Sequence, residues 1–421
     1  MVKKIVLKNG LRILLVPQAS SVAATVLVLV EAGSEYESKD KSGISHFLEH
    51  LVFKGTTKRP EAGMISTELD SLGARSNAFT GQEYTGYWAK VHKGRLDKAL
   101  EIVSDLYLNP IFNAEEIEKE RGVVIEEINM YEDMPMRQVH EVFGSLMYGD
   151  QPAGWGIAGE KDVIRILKRD DFIKYRAEHY VAPATVVVVA GNFREKEVLA
   201  NIKKYFGELK RAKKGVKSKT VEKQTKPALR VQYKKSDQAH LVLGVRAFPV
   251  FDKRRHALQL LGDVLGGGMS SRLFKRLRED LGLAYYVHSD AELFLDHGYF
   301  AIASGVDPKR IEMAIEAIIF ELRRMKDELV PKAELEKAKE HLTGSLLLGL
   351  ETSDDLASFY GGQEIIAKKL VEPEVLIKKI KSLKAEDLRK VAREVLVTQY
   401  LNLAIIGPYE ESRVFEKLLV I

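Results

Sequence analysis

Cysteine is absent from this 421-residue chain. Disulfides and thiolate metal ligands are therefore excluded, and His, Asp and Glu remain as the side chains able to hold a metal. The same absence suits a reducing cytoplasm, the expected location. Long apolar runs are lacking too. Stretches such as "TVVVVA" fall well short of the roughly 18 residues that cross a bilayer, so no membrane partner is expected. In "MVKKIVLKNGLRILLVPQ" lysines precede apolar residues, but "KNG" interrupts the run and no small-residue cleavage site follows. Asn9-Gly10, between two β-rich runs, predicts a hairpin turn instead. The net charge is only +5, and no basic stripe is interleaved with aromatics, so nucleic acid is not an expected partner. The glycine-rich "LGGGMSSRLF" lacks the Gly-Lys-Ser/Thr ending of a phosphate-binding loop.

What is present is a globular composition, 45% hydrophobic and 30% charged, on a chain too long for a single core. The chain reads as one domain written twice. "TGYWAKVHKGRLDKALEIVSDLY" is echoed by "HGYFAIASGVDPKRIEMAIEAII", and "ATVVVVAGNFREKE" by "YLNLAIIGPYEESR". Gly86 and Gly298 are offset by 212 residues, Gly191 and Gly407 by 216. Two matches at nearly one offset indicate duplication. Residues 1–209 and 228–421 are the expected domains, with the basic segment 210–227 as a solvated linker. Long helices over 93–108, 115–131 and 332–349, flanked by β-branched runs, predict an α+β fold. Each domain should be a mostly antiparallel sheet packed by helices.

The stretch "GISHFLEHLVFKGT" places His46, Glu49 and His50 in an apolar helical run. At about 100° per residue, Glu49 falls near −60° and His50 near +40° from His46. Phe47, Leu48, Leu51 and Val52 point to the other side. Histidines at i and i+4 can ligate one ion together, and Glu49 can reach a water beside it. This is the H-x-x-E-H arrangement. A core helix with two hydrogen-bonded histidines and a paired glutamate would carry the same pentapeptide, so the downstream sequence has to decide. A catalytic zinc takes three protein ligands and keeps one open position. The helical segment "AEEIEKERGVVIEEINMYED" carries Glu120 and Glu127 two turns apart on one face. One of them could ligate the ion while the other orients a ligand histidine.

These residues resemble the pitrilysin-type zinc peptidases, also called inverzincins, and in particular their processing-peptidase-like branch. In that family a ligand glutamate follows the second histidine at long spacing, with another glutamate seven residues before it; here Glu127 follows His50 by 77 residues and Glu120 by seven. The resemblance therefore implies one zinc per chain on His46, His50 and Glu127, with Glu120 orienting a histidine and Glu49 as general base. Glu126 is the competing third ligand, although it has no partner seven residues earlier. "SNAFTGQEYTGYWAKV" is similar to the family's edge strand, so Asn77, Ala78 and Phe79 would pair with substrate backbone. "SSRLFKRLREDLGLAYYV" is similar to its Arg-x₆-Tyr pair, which selects Arg278 and Tyr285, with Tyr286 as the alternative. The implied protein is a zinc endopeptidase acting on peptides and unstructured segments. It would be half of a clamshell that closes as a homodimer around a chamber. A scaffold relative or a non-cleaving peptide binder would share the fold without turning over substrate.

Overall fold

Residues 2–421 are described by a computed structural model. Among them, one sheet has six strands in the order β1-β2-β6-β3-β5-β4. They are β1 (Lys3–Val6), β2 (Arg12–Pro17), β3 (Ala23–Val30), β4 (Arg75–Thr80), β5 (Thr85–His92) and β6 (Thr185–Gly191). The other sheet has five strands in the order β7-β11-β8-β10-β9. These are β7 (Ala228–Tyr233), β8 (Ala239–Arg246), β9 (Ala284–Leu293), β10 (Gly298–Val306) and β11 (Leu401–Gly407). Only β2–β6 and β7–β11 pair in parallel; the other pairings are antiparallel. Dropping β1, the two orders superpose strand for strand, as duplication requires. The fold is thus α+β, with a repeated sheet. At the β1–β2 turn Gly10 adopts φ +95°, a conformation that glycine enters without Cβ strain. Asn9 Nδ2 there donates to the carbonyls of Phe206, Gly207 and Leu209.

Central strands such as "RILLV" and "TVVVVAG" are buried along nearly their whole length, so both faces of each sheet must be covered. On one face of the first sheet lie α1 (Ile44–Leu51), α2 (Met64–Ser71), α3 (Leu96–Leu108) and α4 (Ala114–Asp133). Its other face presents Leu14, Val16, Leu27, Leu29, Val186 and Val188 to Ala357, Tyr360 and Ile365, on a helix spanning Ser353–Ala367. That helix comes from the later half of the chain. Reciprocally, α5 (Pro135–Tyr148), from the earlier half, lays Val139, Val142 and Phe143 on Val242, Ala301, Ala303, Ala404 and Ile406 of the second sheet.

Consequently neither compact unit is contiguous in sequence. One comprises Met1–Asn129, Trp155–Ser218 and Leu348–Leu370; the other comprises Met130–Gly154, Lys219–Leu347 and Val371–Ile421. Each sequence half lends a helix that the other unit's sheet needs.

The segment 210–227 holds no helix or strand and is mostly exposed, but several of its side chains are anchored. In the first unit Lys214 pairs with Glu31, and Lys217 pairs with Glu35 and with Glu83, all three carboxylates being buried. In the second unit Thr220 bonds Asp296, and Gln224 Nε2 donates to Leu401 O at 3.0 Å. Buried carboxylates require partners, and these lysines supply them. No helix among the described residues is long and apolar enough to cross a membrane.

Candidate metal centre

Helix α1 forms because Ile44, Phe47, Leu48 and Leu51 share a stripe that enters the first core. Its start is fixed by Gly43 at φ +86° and by the buried Glu37, which accepts from Gly43 N at 2.6 Å and Ser45 N at 2.8 Å. These bonds satisfy amide groups that a helix N-terminus otherwise leaves unpaired. Helix α4 buries Ile117, Val124 and Ile128 on its core side, which turns Glu120 and Glu127 toward α1.

His46, His50 and Glu127 converge so that their ligand atoms lie within 4.8 Å of one another. Glu127 Oε2 is 3.6 Å from His46 Nε2 and 3.3 Å from His50 Nε2. Zinc held at about 2.0–2.1 Å in tetrahedral geometry sets its ligand atoms roughly 3.3–3.4 Å apart. The donor set and its spacing therefore fit zinc. Glu126 is exposed and accepts from Asn129 at 3.2 Å, so the structure brings Glu127 and not Glu126 to the histidines. Behind the site, His50 Nδ1 donates to Glu120 Oε2 at 3.2 Å. His46 Nδ1 is buried with no hydrogen-bond partner among the described residues, while its ring lies edge-on to that of His50.

Burial pulls His46 down to about 4, assisted by the neighbouring His50. Burial also acts downward on His50, but the Glu120 hydrogen bond and the charges of Glu127, Glu49 and Glu120 outweigh it and hold His50 above its ordinary value. Glu49 is raised by burial against the opposing bond from Thr80, whose Oγ1 donates to Glu49 Oε2 at 2.5 Å. Burial would raise Glu120 as well, yet its bonds with His50 and Lys54 bring it below the usual range.

Asn77, Ala78 and Phe79 lie on β4, which borders only β5 and is the edge of its sheet. Asn77 Oδ1 accepts from Ala78 N at 2.9 Å, and Phe79 packs edge-on against Tyr84. Arg278 and Tyr285 belong to the second unit. Arg278 sits on a π-helical turn (Phe274–Asp280), lies over the Phe274 ring and donates to the Tyr285 carbonyl. Tyr285 falls where the β9–β10 register shifts and is 60% exposed. Tyr286 is engaged instead: it bonds His240 Nδ1 at 3.0 Å, and burial pushes its phenol up to about 12.

Sequence reasoning missed Glu37, Thr80 and Lys54. For Lys54 a signal exists, since it continues the four-residue step from His46 to His50. Thr80 meets Glu49 only through the fold.

The model of the Insulinase family (Peptidase family M16) matches residues 12–161, and that of the Peptidase M16 inactive domain matches residues 167–342. An uncharacterized zinc protease of Bacillus subtilis, YmxG, is 34% identical, with 97% of this chain and 98% of the relative covered. The chain belongs to peptidase family M16. Another relative, an uncharacterized zinc protease of Rickettsia felis, is 36% identical over 96% of both chains. Among solved structures, a protease from Helicobacter pylori shares 27% identity at a TM-score of 0.91, covering 97% of this chain and 99% of its own. As an M16 chain it carries a single H-x-x-E-H. The helix at the corresponding place in the second module (Arg255–Gly266) reads "RHALQLLGDVLG", without that motif.

Proposed function

We propose that this M16 metallopeptidase is a zinc-dependent endopeptidase for peptides and unstructured segments, bound as an added strand along β4. The convergence of His46 Nε2, His50 Nε2 and Glu127 Oε2 at zinc-like spacing carries this reading. When bound there, zinc acts as a Lewis acid that acidifies water and polarises a carbonyl. Glu49 takes a proton from the attacking water at its carboxylate and passes it to the leaving amine nitrogen. Its raised affinity for protons, a consequence of burial, suits that task. The side of β4 facing away from β5 offers backbone N–H and C=O groups to an extended peptide, whose register decides which bond meets Glu49.

The exposed Tyr285 hydroxyl would donate to the developing oxyanion, and Arg278 would hold the Tyr285 backbone in place. The family resemblance supports one zinc per chain and a cytoplasmic homodimer that closes as a clamshell, admitting peptides and excluding folded proteins.

A quenched fluorescent peptide assayed with and without chelator tests the reading. Cleavage should stop on chelation and return with added zinc. Cleavage indifferent to chelation would overturn it.

A further inference from the structure

Lys54 ends the short 3₁₀ turn (Val52–Lys54) that prolongs α1, four residues beyond His50. Its Nζ lies 2.5 Å from Glu120 Oε1, while the other carboxylate oxygen, Oε2, accepts from His50 Nδ1 at 3.2 Å. Glu120 is buried, its side chain only 7% exposed. A buried carboxylate needs partners on both oxygens, and the pair supplies one each. We propose that Lys54 is a positioning residue for the metal centre: by gripping Glu120 Oε1 it turns Oε2 onto His50 Nδ1 and so aims His50 Nε2 at the ion. This inference rests on reading His46, His50 and Glu127 as zinc ligands.

A cation beside a cation site could equally be expected to hinder binding. Glu49, Glu120 and Glu127 carry three formal negative charges, and Lys54 reduces them to two. By charge alone, removing Lys54 strengthens the attraction for a divalent ion. By orientation, removing it frees Glu120, loosens His50 and weakens binding. Loss of such outer partners typically costs about 10–100-fold in metal affinity. The two effects have opposite signs, so one measurement separates them.

Zinc affinity is to be measured by chelator competition for the native protein, Lys54→Met and Lys54→Arg. Cobalt absorption spectra would report the ligand geometry, and melting of the metal-free proteins would report the fold. Lys54→Met should bind zinc roughly tenfold more weakly, with an altered cobalt spectrum and a metal-free melt that stays cooperative, lowered only by the carboxylate oxygen left unpaired. Lys54→Arg should recover most of the affinity, because its guanidinium can still grip Glu120. Zinc bound by Lys54→Met as tightly as by the native protein, or more tightly, overturns the proposal. Should Lys54→Met fail to fold, Lys54→Gln carries the same comparison. Glu127→Gln is the control. If the native protein holds no zinc, or Glu127→Gln holds it undiminished, the metal-centre reading falls and takes the Lys54 inference with it. A Lys54 failure beside intact Glu127-dependent binding sinks the inference alone.

Discussion

Glu49 and Thr80 share a hydrogen bond of 2.5 Å although 31 residues separate them. Two predictions follow from the proposed base. Replacing Glu49 by Gln keeps the shape and the Thr80 contact but removes the proton acceptor. Turnover should fall by about 10²–10⁴ while zinc content, read by elemental analysis, stays native. Thr80→Val removes a donor to a charged acceptor, an interaction of roughly 1.5–3 kcal/mol. If that bond orients the carboxylate, kcat should fall about 10–100-fold with zinc content unchanged, and Thr80→Ser should restore most of it. An equal loss in both Thr80 variants would indicate a packing role. Helical steps of four and seven residues show that His46 and His50 share one face and Glu120 and Glu127 another, but only the family resemblance singles out Glu127 as the partner of the histidines, and it is the fold that brings the three together. The Thr80 contact is not legible in the sequence, since nothing local links an edge-strand hydroxyl to a helix that precedes it.

The elements around the site are locked by a second charged cluster, at Arg59. That side chain, only 4% exposed, donates to Glu68 on α2 and to Glu101 and Asp105 on α3. It thereby clasps the loop after α1 to both helices. Burial acts to raise Glu101, but hydrogen bonds from Arg59, Lys58 and Lys98 prevail and hold it at about 2 instead of 4.5. A depressed carboxylate stabilises the fold fully above its unfolded value and loses that contribution as the pH falls through the folded one. Glu101→Gln should therefore melt below the native protein at pH 7, and the gap should close between about pH 4.5 and pH 2. Calorimetry on chelator-treated samples isolates this effect from metal release. A gap independent of pH would show that Glu101 acts by packing and not by charge. Of the two helices of this clasp, α3 is legible from its apolar periodicity, Leu96–Leu108 against the expected 93–108, whereas the eight-residue α2 (Met64–Ser71) is not among the expected helices. The clasp itself is hidden, because Glu68, Glu101 and Asp105 are residues that any solvated helix surface could carry.

At the scale of the whole molecule, the repeat reveals two modules of one topology but not the exchange of helices between sequence halves. Helix α5 and the Ser353–Ala367 helix occupy corresponding places in the repeat, and nothing in their apolar patterns says which sheet each will cover. The exchange has a consequence for dissection. A fragment 1–209 retains Leu14, Leu27, Leu29, Val186 and Val188 on a sheet face stripped of Ala357, Tyr360 and Ile365. Exposed apolar patches of that kind drive association. The fragment should elute as aggregates on gel filtration, and adding the segment Leu348–Leu370 should shift it toward a single species. A monodisperse fragment 1–209 would show that the borrowed helix is dispensable.

His46, Glu49, His50 and Glu127 belong to one module and Arg278 and Tyr285 to the other, so the role proposed for Arg278 can be tested separately from that of Glu49. The proposed clamshell dimer makes a quantitative demand on that division. Co-expressing a Glu49→Gln chain with an Arg278→Ala chain gives mixed dimers in about half of the molecules if pairing is random. If each site joins one chain's first module to its partner's second, every mixed dimer holds one site with both Glu49 and Arg278 and one with neither. Peptide cleavage should then return to roughly a quarter of the native rate, whereas each variant alone stays near background. If both modules of a site belong to one chain, no combination restores an intact site, and the co-expressed mixture, verified as dimeric by ultracentrifugation, remains inactive.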